Sequence, residues 1–351
     1  MKHTILRIVF VSLVANIISA CSPEKSDPIA KHSAQEVVNL YSYRKEALIK
    51  PLLDRFTEQT NIKVNLVTGK ADALFSRLQS EGENSPADVL ITVDVGRLHR
   101  AKSAGLLQPI NSLALMTIPE HLRDSENFWF GLSIRSRSIF YNKQTLSNDS
   151  IKDYEDLMKA EFKGKVCIRS SSNIYNQSLM ASMIKHLGAE RAENWGRGVV
   201  NNFARAPQAN DTAQLKAVAS GECELAVANS YYYGRLLTSD SEVDRELAGK
   251  IGIIFPNQNN RGTHINVSGA GITRYAKNKL NAVKLLEFFV SDEAQSFYAD
   301  SNFEYPVIKD IKINETLLSW GYPFKKDTVA LDALGDLNAD AVKTFDRAGW
   351  R

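Results

Sequence analysis

Apolar positions in this chain follow two rhythms that alternate along its length. Residues 37–40 (Val-Val-Asn-Leu) read as a strand. Over 46–60, Leu48, Leu52 and Phe56 stand four apart, the spacing that lines one face of a helix. Residues 62–67 alternate as a strand does, and 71–81 return to helical spacing. Residues 89–93 (Val-Leu-Ile-Thr-Val) form a short, nearly unbroken apolar run, as expected where both faces of a sheet are covered. A helix is predicted over 95–104, stopped by Gly105. Such alternation predicts an α/β domain with a mainly parallel sheet.

A second series opens near residue 133. It predicts strands over 165–168, 225–228 and 251–255, and helices over 175–187 and 213–220, the latter capped by Asp211 or Thr212. Beyond Gly269-Ala270-Gly271-Ile272 the chain returns to helices over 278–290 and 292–300, and the last forty residues read as helical and amphipathic. The expected division is an N-lobe over 36–132, a C-lobe over 133–263, a return to the N-lobe over 264–310 and a helical segment over 311–351. Two α/β lobes joined by a double crossing make a hinged cleft, the plan of a solute-binding protein. Many enzymes share that plan.

The first residues belong to neither series. Lys2 and Arg7 flank an apolar run over 8–20 that is too short and interrupted to predict a membrane span, so 1–20 reads as an export signal. Ile18-Ser19-Ala20-Cys21 resembles the end of a bacterial lipoprotein signal, which makes Cys21 the lipidation candidate; an ordinary cleavage near Ala20 is the alternative. Residues 21–35 read as a flexible leader. The expected location is the periplasm, with or without a lipid tether.

Composition narrows the choice. A net charge of +3 over 351 residues, with no dense basic block, gives no support to nucleic-acid binding. Apart from Cys21, the cysteines are Cys167 and Cys223, both beside apolar runs. In an exported chain this pair reads as a disulfide in neighbouring strands, with two buried thiols as the alternative.

Three polar clusters each follow a strand and open a helix. They are Tyr41-Ser42-Tyr43-Arg44-Lys45-Glu46, Ser170-Ser171-Ser172-Asn173-Ile174-Tyr175, and Asn229-Ser230-Tyr231-Tyr232-Tyr233-Gly234-Arg235. Open α/β sheets bind ligands outside the carboxyl ends of strands, so all three are candidates for one cleft. Helix N-termini there favour an anion or a phenolate. Ionising one ordinary tyrosine at pH 7 costs about 4 kcal/mol, and three cost about 12. Calcium would hardly offset that, whereas ferric iron, a hard and strongly Lewis-acidic cation, suits phenolates. The six histidines show no close pairing and the cysteines no CxxC, which argues against zinc. The plainer reading is that the tyrosines pack under a helix with Arg235 at the surface.

Taken together, NSYYYGRL, SSSNIYNQSL and SPADVLITVDVGRLHRAKSAGLLQPI resemble segments of the ferric-iron-binding proteins of bacterial ABC importers, the periplasmic FbpA and FutA type. The resemblance runs from about Val37 to about Val307. It implies a two-lobed type II periplasmic binding fold, with Tyr231, Tyr232 and Tyr175 as phenolate ligands and Tyr233 as packing. Many relatives carry His-Tyr where this chain has Lys45-Glu46. That departure leaves Glu46 as a substitute ligand, or leaves coordination positions for an anion such as carbonate. Arg44, Arg135 and Ser172 are the groups expected around that anion, and Arg235 is expected to offset phenolate charge.

The leading expectation is thus a non-enzymatic, monomeric receptor that hands Fe3+ to an inner-membrane ABC permease. A receptor for an organic solute, such as a polyamine or a phosphorylated small molecule, is the alternative. An exported hydrolase is a third reading, for which the chain offers no GxSxG or HExxH.

Overall fold

The computed structural model describes residues 35–208 and 210–351. The export signal over 1–20, Cys21 and nearly all of the leader lie outside the described residues. Among the described residues, no helix is long and apolar enough to cross a membrane.

The chain opens with β1 (Val37–Ser42), α1 (Glu46–Thr60), β2 (Lys63–Thr68), α2 (Ala71–Glu81), β3 (Val89–Val93) and α3 (Val95–Ser103). The helix expected over 46–60 forms because Ile49, Leu52, Leu53 and Phe56 bury one face. β1 pairs in parallel with β2 on one side and β3 on the other. After the short β4 (Leu107–Gln108) comes β5 (Phe130–Asn142), the longest strand. Next are β6 (Val166–Cys167), α4 (Ile174–Leu187), α5 (Ala189–Asn201), α6 (Asp211–Ser220), β7 (Leu225–Asn229), α7 (Ser230–Leu237), α8 (Glu242–Gly249) and β8 (Ile251–Ile254). The chain then returns through β9 (Ile265–Thr273), α9 (Lys279–Phe289) and α10 (Asp292–Asn302), and ends in α11 (Glu315–Ser319), α12 (Leu331–Asp336) and α13 (Asn338–Ala348).

The sheet order is β2-β1-β3-β9-β5-β7-β6, with β4 also on β9 and β8 also on β5. This corrects the expectation of a mainly parallel sheet. The returning β9 is antiparallel to both β3 and β5, and β5 is antiparallel to β7 and β8. β5 joins the two halves: its first part pairs with β9, and Arg137 to Asn142 pair with β7 or β8. Neither joining strand is obvious from its residues. β5 buries Ser133, Arg135, Ser136, Arg137 and Ser138. In β9, a Cβ on Gly269 would stand 2.6 Å from the Phe130 carbonyl, so only glycine fits there.

Three smaller differences have local causes. The cap of α6 is Asn210, whose side chain accepts from the Ala213 amide, because Asp211 is fully buried and paired with Arg137. The last forty residues hold only three short helices. Between α11 and α12 the backbone instead bridges Thr263 to Lys326. The strand expected over 165–168 shrinks to β6. Cys167 at the end of β6 and Cys223 just before β7 form a disulfide with Cα atoms 5.9 Å apart.

Candidate metal centre

The carboxyl ends of β1 and β7, together with the start of α4, face one cavity of about 200 Å³. Tyr175 enters it from the first turn of α4, whose cap Asn173 accepts from the Tyr175 amide at 3.2 Å. Tyr231 and Tyr232 enter from the first turn of α7. Successive residues of a helix are turned by about 100°, so Tyr233 stands about 200° from Tyr231 and faces away. Its hydroxyl donates to the Ile251 carbonyl at 3.1 Å, and its ring packs on Phe140 and Trp320. The rings of Tyr231 and Tyr232 lie with centroids 4.3 Å apart.

A buried polar frame holds these helices. Arg137 donates to Asp211 at 2.7 Å, to Asn229 at 3.2 Å and to Asn176 at 2.6 Å. Asn176 follows Tyr175, and Asn229 caps the helix of Tyr231. One guanidinium therefore fixes the starts of both tyrosine-bearing helices. Asp94, at a left-handed φ of 76°, accepts from Ser178 of α4 at 2.7 Å and from Asn266 of β9 at 2.9 Å. A non-glycine residue in that conformation is uncommon outside sites where the surroundings enforce it.

The electrostatics favour neutral phenols in the free chain. Burial raises the Tyr231 phenol well above its ordinary value, and the neighbouring Tyr175 and Tyr232 push the same way. Burial, then Tyr175, pushes Tyr232 up to about 12. Cations surround them. The Arg235 guanidinium lies 4.7 Å from the Tyr231 ring and 5.8 Å from that of Tyr232. Arg135, 2% exposed, lies 5.5 Å from the Tyr175 ring and 5.8 Å from that of Tyr231. Burial alone would lower the Arg135 guanidinium, but Tyr175, Tyr231, Glu304 and Asp94 hold it above its ordinary value. Its Nη2 donates to the Val267 carbonyl at 2.7 Å, while its buried Nε has no partner.

The other expected site residues separate. Arg44 lines the cavity, but Glu304 takes its guanidinium in a two-point pair of 3.0 and 3.1 Å. Ser268 accepts from it at 2.8 Å, and Ser133 donates to the same carboxylate. Burial works to raise the Glu304 carboxyl, yet Arg44 and Arg135 together hold it below its ordinary value. Ser172 is exposed, bonds to Ser170 at 3.0 Å and borders a different cavity, beside Arg97 and Gln177. Glu46, the first residue of α1, is exposed and does not line the tyrosine cavity. Sequence reasoning did not assign Glu304 or Tyr43, which do line it. Tyr43 belongs to a cluster already singled out, whereas nothing near Glu304 signals its pairing with Arg44, 260 positions away.

No group of His, Cys, Asp and Glu that could hold a metal ion occurs among the described residues. The convergent donors are phenols, with cations around them. That set suits a small, hard, highly charged ion, since only such an ion can ionise several buried phenols.

Comparison with known proteins places the chain. Residues 84–325 match the family described as bacterial extracellular solute-binding protein. Over 339 residues the chain is 48% identical to iron uptake protein A1 of Synechocystis sp., spanning 96% of this chain and 94% of that one. The solved structure of Trichodesmium FutA (IdiA) in complex with iron and citrate superposes with a TM-score of 0.87 at 51% identity, covering 90% of this chain and all of that one. The ferric binding protein from Campylobacter jejuni gives 0.84 at 42%, with the same coverage. The two half-sheets joined through β5 and β9 are thus a periplasmic binding protein fold, and the chain belongs to the bacterial extracellular solute-binding proteins, in the group that holds FutA and FbpA.

Proposed function

We propose that this chain is an exported receptor that binds Fe3+ through Tyr175, Tyr231 and Tyr232 and delivers it to an inner-membrane ABC importer without a catalytic step. The carrying observation is the convergence of three phenols from two helix starts on one cavity whose lining carboxylate, Glu304, is already committed to Arg44. The relatives named for iron uptake, and the solved relative with iron and citrate, support the same reading. The cavity lies where the two half-sheets meet, so closure about β5 and β9 is the proposed capture movement. We place the halves at 36–132 with 264–310, and at 133–263. The site acts as a monomer in the periplasm.

A ferric ion with three phenolates still has coordination positions to fill. An oxyanion such as carbonate, or a carboxylate donor such as citrate, fills them. Arg135 is the anchor for it: it is buried, lies against two of the phenols and has an unpartnered Nε. Arg235 assists at the rim. Arg44 acts through Glu304 rather than on the anion, and Ser172 has no part. A polyamine finds no free carboxylate among the residues lining the cavity.

Iron titration followed in the visible range, with bicarbonate, with citrate and with neither, tests this reading. A phenolate-to-iron band is expected in all three, with the anions shifting it and tightening binding. Identical spectra and affinities would remove the anion. Binding of an organic phosphate without any iron band would replace the iron reading by the organic-solute one.

A further inference from the structure

We infer that α12 and α13 form a strap between the two halves, rooted beside the Tyr175 helix, and that this strap sets the rate of iron release; the inference rests on the iron reading above. The root lies in the half that carries the phenols. Just past the bridge between Thr263 and Lys326, Asp327 accepts from Ser182 of α4 at 3.2 Å and lies 2.8 Å from Nε2 of His186 of α4. α13 packs on α4 and α5. Asn338 donates to Gln177, two residues beyond Tyr175, at 3.2 Å. The buried Trp350 packs on Trp195 and Phe203, and its indole N–H donates to the Arg169 carbonyl at 3.0 Å. That same carbonyl accepts from Asn176, the neighbour of Tyr175.

Between these anchors α12 reaches the opposite half, where it packs on α3 as well as on α4. Leu331 and Leu334 are buried there. Asp332 accepts from the Ser125 amide at 2.9 Å. Gly335 sits directly on His99 of α3: a Cβ at this position would meet the His99 Cγ at 2.4 Å and its Cβ at 2.5 Å. The His99 Cβ is fixed to the backbone, so turning the side chain cannot make room.

The strands β5 and β9 can flex while they stay paired. The helix α12 is seated on helices of both halves, so it must leave α3 when the halves separate. Parting that contact adds to the barrier for opening, and opening steps commonly limit release. The strap touches no phenol, so it acts on the rate and not on the ligands. One of its residues works against it. Burial, and then the nearby Asp124, raise the Asp332 carboxyl above its ordinary value, so its charge opposes the seated position.

The test compares the full chain as wild type, Gly335→Ala, Asp332→Asn and Gly249→Ala, a control glycine with open space around it. The readouts are the visible spectrum of the Fe3+ complex and the rate of iron transfer to excess chelator. Gly335→Ala wedges α12 off α3 and is expected to release iron about tenfold faster, with the phenolate band unmoved. Asp332→Asn keeps an acceptor for the Ser125 amide and removes the charge, so release should slow by a few-fold. Gly249→Ala should match the wild type. A folded Gly335→Ala with the wild-type release rate overturns the inference and leaves the iron site standing. Should Gly335→Ala fail to fold, Asp332→Asn decides: slower release supports the strap and an unchanged rate overturns it. A wild type with no phenolate band removes the iron reading, and this inference with it.

Discussion

Iron affinity is expected to fall by about a thousandfold for each pH unit lost between pH 7.5 and 6. The sign follows from the phenols. In the free chain Tyr231 and Tyr232 hold their protons more firmly than ordinary tyrosines, because burial disfavours the phenolate. In the complex the ligand phenols are ionised. Binding therefore releases protons, and acid favours the free chain. Far below the phenol pKa, each released proton weakens binding by about 1.36 kcal/mol per pH unit, so three give about 4 kcal/mol. Raised phenol pKa values keep the full slope through neutral pH. A carboxylate ligand would add almost nothing above pH 6, since it is already ionised. Competition against a chelator of known pH behaviour corrects for hydrolysis of free ferric iron. A corrected slope of three or more protons per iron supports the phenolate site. A slope near zero with iron still bound would mean that the tyrosines only pack around a metal held by other groups.

The second large effect is expected from the paired change Tyr231→Phe with Tyr232→Phe. Losing an outer partner of a metal ligand weakens binding about 10–100-fold. Losing two direct ligands should weaken it by roughly a thousandfold or more and remove most of the visible band. The folded chain should not suffer. Tyr231 is 5% exposed and packs its ring on that of Tyr232, and phenylalanine keeps both rings in place. The iron-free double variant is thus expected to melt at or above the wild-type temperature, while iron no longer raises its melting point. Tyr233→Phe provides the contrast. It loses the bond to the Ile251 carbonyl, so it should cost about 1 kcal/mol of stability and leave the colour unchanged. Loss of colour in Tyr233→Phe alone would mean that the roles within the triplet are reversed.

Much of this site was legible before the fold was known, for a physical reason. Three consecutive tyrosines after an apolar strand cannot all face a core, and strand ends are where α/β sheets bind ligands. Tyr175 was legible on the same ground. What failed to show in sequence depended on long-range pairing or on a single turn of backbone. Arg44 looked like an anion ligand because Glu304, 260 positions away, gives no local sign of taking it. Ser172 sits three residues before Tyr175, yet its turn closes on Ser170 and leaves it exposed. Glu46 is one position past Lys45, enough for the opening turn of α1 to carry it off the cavity wall.

The fold shows the same division. The elements α2 and β3 were bounded correctly by periodicity, because each buries a continuous apolar face. β5 and β9 were not, because their burial is polar or glycine-rich. The serines and arginines of β5 serve the site and the frame behind it, and Gly269 and Gly271 of β9 admit neighbouring backbone. The strands that join the two halves are therefore those whose sequence departs most from an ordinary buried strand. This also explains why a mainly parallel sheet was expected: the antiparallel partners were the unreadable ones.

The most direct test is metal analysis with a visible spectrum of the chain purified from iron-replete cells, and of the same chain stripped of metal and given Fe3+ alone. One iron per chain and a broad phenolate-to-iron band, absent after stripping and restored by Fe3+, is the expected result. A chain that carries no iron, and that shows no such band when Fe3+ is added, would contradict the account.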